Sequence, residues 1–230
     1  MPRNQSAKAP GQEGSGGSKS ARTRDRITAA AAHVLSRKGY SGTRLTDVAD
    51  EAVLQAPAIY YYFPSREDLI EEVIWTGIAH MREYVDSVLA ALPPGTGPIA
   101  RIEAAVEAHL RYELEISDYT TAAIRNAGQI PEEIRLRYSA EASHYGDTWR
   151  KLLQDAHNAG LLRSDIEPQA ARMLVMGALN YAAEWWNPRR DSLDVVVHTA
   201  RSIVRHGLCA PEAAATETAE VATTRRARAV

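Results

Sequence analysis

The sequence has one cysteine and one phenylalanine in 230 residues, and its 7 histidines are scattered. With Cys209 alone, no internal disulfide can form, and nothing around it suggests an activated thiolate. No apolar run approaches the roughly 18 residues of a membrane span. The N-terminus is polar and lacks the apolar core of a signal peptide, so a cytoplasmic location is expected. There is no His-Glu-x-x-His pair, no Cys/His cluster and no phosphate-binding glycine loop. His198 and His206 lie about two turns apart on one expected helix, too far for a shared metal, so neither metal nor cofactor is expected. Glu103 and Glu107 share a helical face and read as solvated. No nucleophile has an evident base partner, which argues against an enzyme.

Strand-like alternation and internal repeats are also missing. What remains is helical patterning, an ordinary charged fraction of 24% and a net charge of −2. That charge is unevenly spread. Residues 1–70 carry 10 Lys/Arg against 7 Asp/Glu, and residues 71–230 carry 17 against 22. A phosphate-binding protein concentrates positive charge where it meets the backbone, and here the excess is N-terminal. Residues 1–20 are Gly/Ser-rich and read as a disordered arm, and residues 210–230 as a disordered tail. The last part of the arm and the start of the first helix carry Lys19, Arg22, Arg24 and Arg26, as a solvated tail or as a basic element reaching DNA phosphates or a minor groove.

Between the tails the expected fold is all-α, with about nine helices. An N-terminal three-helix unit spans 21–67 and a larger helical domain spans 68–209. Ile27, Ala30, Ala31, Val34 and Leu35 recur at helical spacing until Gly39. Ser65 caps a long helix that ends at Pro93-Pro94-Gly95. Further helices fit about 98–116, 119–127, 131–159, 167–186 and 192–206.

The densest signal lies in residues 45–69. Thr46 to Ala52 form a short helix, a turn follows, and Pro57 sits in the first turn of a second helix that Phe63-Pro64 ends. Small apolar residues, Ala49 and Ala52 above all, allow two helices to cross closely. This is a helix-turn-helix, which lays its second helix in a DNA major groove. That helix is too short to bury much, so its exposed side chains need another purpose.

The segment Ile27–Leu69 resembles the TetR family of bacterial transcriptional regulators. The match runs through Gly39-Tyr40, Thr43, Leu45-Thr46-Asp47-Val48-Ala49, Ala52, Ile59-Tyr60-Tyr61-Tyr62-Phe63 and Ser65-Arg66-Glu67-Asp68-Leu69. Three positions depart from the family pattern. Its turn glycine is Val53 here, its histidine is Tyr62, and its lysine is Arg66. A β-branched residue at a position needing positive φ is strained, so the Val53 turn is either strained or differently shaped. The resemblance implies that Thr43, Tyr60, Tyr62 and Arg66 meet the DNA backbone, and Arg22 and Thr46 are further candidate DNA contacts. It puts Gln55, Ala56, Pro57, Ala58 and Tyr61 in the major groove. The chemistry agrees, since hydroxyl and guanidinium groups position a protein on phosphates, Gln can bond adenine, and Ala or Pro can meet thymine methyls. The alternative for Tyr60 is a ring packed beneath the motif.

The same resemblance implies a ligand-sensing and dimerising domain after residue 68. Ala171, Leu174, Val175, Ala178 and Leu179, with Val195, Val196, Ala200, Ile203 and Val204, would form the faces of a homodimeric four-helix bundle. Tyr112, Tyr119, Asn126, Tyr138, Tyr145, Trp149, Tyr181, Trp185 and Trp186 offer apolar walls with polar tips, which suits a small-molecule pocket or an ordinary core. Tyr112, Tyr119, Asn126, Tyr145, Trp149, Tyr181 and Trp185 are the candidate ligand contacts. Trp185-Trp186-Asn187-Pro188 resembles a segment of family members that sense CoA thioesters, for which Arg125, Arg135 or Arg137 could be anionic-group partners. The implied function is a homodimeric repressor released from a palindromic operator by a small-molecule effector, an acyl-CoA or another apolar ligand. The alternatives are a ligand-independent regulator, an activator, or a helical small-molecule binder without DNA binding.

Overall fold

The computed structural model describes residues 16–210, so most of the arm expected at 1–20 and of the tail expected at 210–230 lies outside the described residues. The elements are α1 (Gly16–Gly42), α2 (Leu45–Glu51), α3 (Ala56–Tyr60), α4 (Arg66–Ala90) and α5 (Pro98–Arg111). A π-helical turn (Tyr112–Ile116) then leads into α6 (Asp118–Asn126). After a 3-10 turn (Glu132–Ile134) come α7 (Leu136–Asn158), α8 (Pro168–Asn180), α9 (Ala182–Trp185) and α10 (Leu193–Leu208). Among the described residues the only extended pairing is an isolated bridge between Leu162 and Cys209. The fold is all-α, and taking α8 and α9 as one interrupted rod gives the expected nine helices among the described residues.

Local chemistry explains most boundaries. α1 begins at Gly16, inside the segment expected to be an arm. It kinks at Gly39, whose φ of 70° lies in the left-handed region that favours glycine. At the start of α4, the Ser65 hydroxyl accepts the Asp68 backbone N–H at 3.0 Å, as the sequence pattern requires. The rod expected at 98–116 changes to a π turn at Tyr112, and the rod at 167–186 breaks at Tyr181. Neither change has a Gly or Pro signal in the sequence.

Two apolar cores divide the molecule. The first joins α1, α2 and α3 to Leu69, Ile70, Val73 and Ile74 of α4 and to Ala122 and Ala123 of α6. The second joins the rest of α4 to α5, α7, α8 and α10. Burying each large aliphatic side chain contributes about 1.5–3 kcal/mol, so the short α2 and α3 depend on α1 and α4 for their stability. The boundary expected at 67 therefore falls at the mouth of a helix that serves both cores. α4 and α6 cross very closely at Gly77, where an added Cβ would stand 2.2 Å from the Tyr119 carbonyl oxygen.

Candidate nucleic-acid interface and helical-domain core

α2, the turn and α3 present one solvent-facing edge. The turn places Val53 at φ 54°, the one non-glycine positive φ among the described residues. The strained alternative anticipated for this position is thus the one adopted. Arg26 reaches across from α1, and its guanidinium donates to the Ala52 carbonyl at 2.5 Å and the Val53 carbonyl at 3.5 Å. These bonds offset part of the strain by satisfying carbonyls at the end of α2.

α3 is five residues long and buries Ile59. Gln55, at its N-cap, makes no side-chain capping bond and is exposed, as are Pro57, Tyr60 and Tyr61. Ala56 and Ala58 are half-buried. Tyr61 is 82% exposed and Tyr60 57%. The packed ring is Tyr62, which lies against the first core and meets Tyr61 edge-to-face at 5.0 Å. The alternative of Tyr60 packed beneath the motif is therefore not realised; Tyr62 and Phe63 point inward instead.

Two expected phosphate contacts are committed to the fold. Thr43 is buried, and its hydroxyl donates to the Gly39 carbonyl at 2.8 Å. Arg66 donates from Nε to the Thr43 carbonyl at 2.8 Å, from Nη2 to the Tyr40 carbonyl and from Nη1 to Glu67 at 3.0 Å. Its guanidinium also covers the Tyr40 ring. Arg66 thus ties the kinked end of α1 to the start of α4. Thr46 is exposed on α2, and Arg22 and Lys19 are exposed on α1. Arg24 stacks over Phe63 and pairs with Glu72 at 3.1 Å. Of these four basic residues, Lys19 and Arg22 face outward, while Arg24 and Arg26 serve the head's own structure.

In the larger domain, the candidate ligand residues separate into four groups. Tyr119 and Asn126 are tethers between α6 and α1. The Tyr119 hydroxyl donates to the Thr28 hydroxyl at 3.0 Å. Asn126 accepts the Tyr40 N–H at 2.7 Å and donates to the Ala122 carbonyl at 2.7 Å. Arg125 donates to the Ser36 carbonyl at 3.0 Å, to Glu184 at 3.1 Å and to the Ala183 carbonyl. Arg137 pairs with Glu72 at 3.1 Å and covers the Trp75 ring. Neither of these arginines presents an uncommitted guanidinium to a ligand phosphate, against the role considered for them.

Tyr181 and Trp185 are exposed and stand on one stripe with Met173, Leu174, Gly177 and Ala178, so they face away from the core. Tyr112 and Tyr138 pack half-buried on the second core, with the Tyr112 ring 4.7 Å from Tyr84. Tyr145 and Trp149 do converge, deep in that core, with two residues that the sequence reading passed over. His109 Nδ1 shares a hydrogen bond of 2.8 Å with the Tyr145 hydroxyl, and His109 Nε2 lies 3.4 Å from Glu113 Oε2. Val106, His109, Leu110 and Glu113 share a helical face, and the first and third are apolar. That spacing was the available signal. Glu103 is likewise buried rather than solvated, held by Arg201 at 3.2 Å and by Arg205.

An all-α head with an exposed second helix, set on a larger helical body, defines the helix-turn-helix class of transcriptional regulators. Residues 27–73 match the family described as bacterial regulatory proteins, tetR family, and residues 95–208 match the tetracyclin repressor-like C-terminal domain. The chain belongs to the TetR family. It is 25% identical over 189 residues to the HTH-type transcriptional repressor KstR2 of Rhodococcus jostii, covering 79% of this chain and 88% of that one. It is 36% identical over 98 residues to the regulator RutR of Escherichia coli, covering 42% of each. Its fold is similar to that of KstR2 of Mycobacterium tuberculosis, with a TM-score of 0.71, 16% identity and coverage of 81% and 95% of the two chains. It is equally similar to AibR in complex with isovaleryl coenzyme A and operator DNA, with a TM-score of 0.71, 17% identity and coverage of 79% and 97%.

Proposed function

We propose that the protein is a homodimeric repressor that binds a palindromic operator and is released from it by a small-molecule effector. The observation that carries the reading is the outer face of α3. Gln55, Pro57, Tyr60 and Tyr61 are exposed on a helix that buries only Ile59. An aromatic pair and an uncapped amide on so short a helix have little to do for stability. They suit base edges, thymine methyls and phosphates.

Dimerisation rests on a second feature. Met173, Leu174, Gly177, Ala178, Tyr181 and Trp185 on α8–α9 form an apolar, small-residue stripe, and Val195 and Ile203 extend apolar surface along α10. A second copy packed on these faces completes a four-helix bundle and sets two α3 helices for successive major grooves, about 34–36 Å apart. Release requires an effector that favours the wrongly spaced state. α6 is the element suited to transmit it, because Tyr119, Arg125 and Asn126 tie it to α1. The similar structures, AibR with isovaleryl coenzyme A and the ketosteroid regulator KstR2, favour an apolar effector body, with an acyl thioester as one class. Since Arg125 and Arg137 are already paired, an anionic carrier would need other partners.

Selection of bound DNA from a random pool, with and without small-molecule cell extract, tests the reading. A palindrome enriched by the purified protein and depleted by extract is the expected outcome. Absence of any enriched palindrome would leave a helical binding protein without DNA function.

A further inference from the structure

The second core contains four buried polar atoms without a hydrogen-bond partner: Glu113 Oε1 and Oε2, His109 Nε2 and Trp149 Nε1. Glu113 and His109 are each 1% exposed and Trp149 is fully buried. The 3.4 Å approach of His109 Nε2 to Glu113 Oε2 is close enough for attraction but is not a formed hydrogen bond. Native cores rarely leave such groups unmet, because each forfeits its hydration without recompense. Clustering four of them is a stronger anomaly than any one alone.

The backbone shares in the arrangement. Glu113 lies on the π-helical turn Tyr112–Ile116, and its carbonyl accepts the Thr121 hydroxyl of α6 at 2.8 Å. π turns mark functional positions more often than ordinary helix does. The aromatic setting is equally specific. The His109 and Tyr145 rings stack at 6.0 Å, and Trp149 meets His109 edge-on at 6.2 Å. Burial pushes the Glu113 carboxyl above the usual carboxylate range.

We infer that Glu113, His109 and Trp149 anchor the polar end of an uncharged small molecule, and that this end both donates and accepts a hydrogen bond, as a hydroxyl or primary amide does. Glu113 offers an acceptor oxygen in either protonation state, and the Trp149 indole N–H can only donate. A group able to answer both satisfies Trp149 Nε1 and a Glu113 oxygen at once. An ether, ester or tertiary amide can accept from Trp149 but has no hydrogen to donate, so a Glu113 acceptor oxygen stays unmet. The rings of Tyr145, Trp149 and His109 flank the apolar part of such a ligand. The inference deepens the effector-release reading and rests on it only for the consequence of binding, not for binding itself.

The test uses the full-length protein without DNA and two pairs of probes, benzamide against N,N-dimethylbenzamide and benzyl alcohol against benzyl methyl ether. Calorimetry and ligand-detected NMR measure binding to the wild type, E113L and W149F. The wild type is expected to bind the uncapped member of each pair about tenfold more tightly, the value of one well-placed hydrogen bond. In E113L, where a leucine removes the buried carboxyl, that preference should vanish while the capped probes still bind. W149F should weaken all four. A wild type that binds none of the probes, or does not distinguish within the pairs, overturns the inference, as does an E113L protein that keeps the preference. Operator release is read separately by fluorescence anisotropy. Probe binding without release would uphold the anchor and sink the effector-release reading.

Discussion

Val53 pays a backbone cost that its neighbours partly recover. A β-branched residue at φ 54° is strained by about 1–2 kcal/mol, and the two carbonyl bonds from Arg26 hold the turn against it. Val53→Gly should therefore raise stability, by no more than about 1 kcal/mol after the extra unfolded-state entropy of glycine; denaturant melts of the two proteins check this. Glu113 carries a different cost. Its carboxyl titrates higher in the folded than in the unfolded chain, because burial disfavours the charged form. Stability tied to this group is thus fully present below its ordinary value of 4.5 and is lost as pH rises through the folded value. Glu113→Gln should close the gap, so its stability advantage over the wild type should widen as pH increases from about 4.5. Parallel thermal melts across pH would show a constant difference if Glu113 were not responsible.

Among the elements, α3 and the α1–α4 junction play opposite roles, although the sequence presents them as one motif. Tyr61→Ala should leave the unfolding midpoint unchanged, because its ring is 82% exposed, while weakening operator binding by on the order of tenfold or more. Gel-shift titration and a thermal melt separate the two effects. Arg66→Ala should act on stability and binding together. It removes bonds to the Thr43 and Tyr40 carbonyls, so it should destabilise the head by about 1–3 kcal/mol as well as reduce binding. The sequence pattern disclosed where the helices of the head lie, since apolar spacing, Ser65 and Pro57 act locally. It did not disclose that Thr43 and Arg66 face inward, because the Tyr40 and Thr43 carbonyls that hold Arg66 reach it only when the end of α1 packs against the start of α4. For the same reason His109 and Glu113 escaped notice. Their role depends on α7 arriving with Tyr145 and Trp149, just as the tethering role of Tyr119 and Asn126 depends on α1 packing against α6.

At the scale of the whole molecule, one helix, α4, enters both cores, and α6 is bound to the head by Tyr119, Arg125 and Asn126. A shift of α6 within the larger domain cannot leave α1 in place without breaking those bonds. The exposed stripe on α8–α9, with its extension on α10, would then fix how one head's motion changes its distance from the other. Leu174→Glu together with Ile203→Glu puts charge on that surface, where Leu174 is 74% exposed. Sedimentation should find a monomer whose own melt is little changed, with operator affinity reduced by on the order of a hundredfold through loss of the second half-site. The most direct measurement of the central claim is the mass of the complex formed on the DNA selected from a random pool. An even number of chains on a two-fold symmetric site is expected, with assembly abolished by Tyr61→Ala. A single chain bound to an asymmetric site, or binding indifferent to Tyr61, would contradict it.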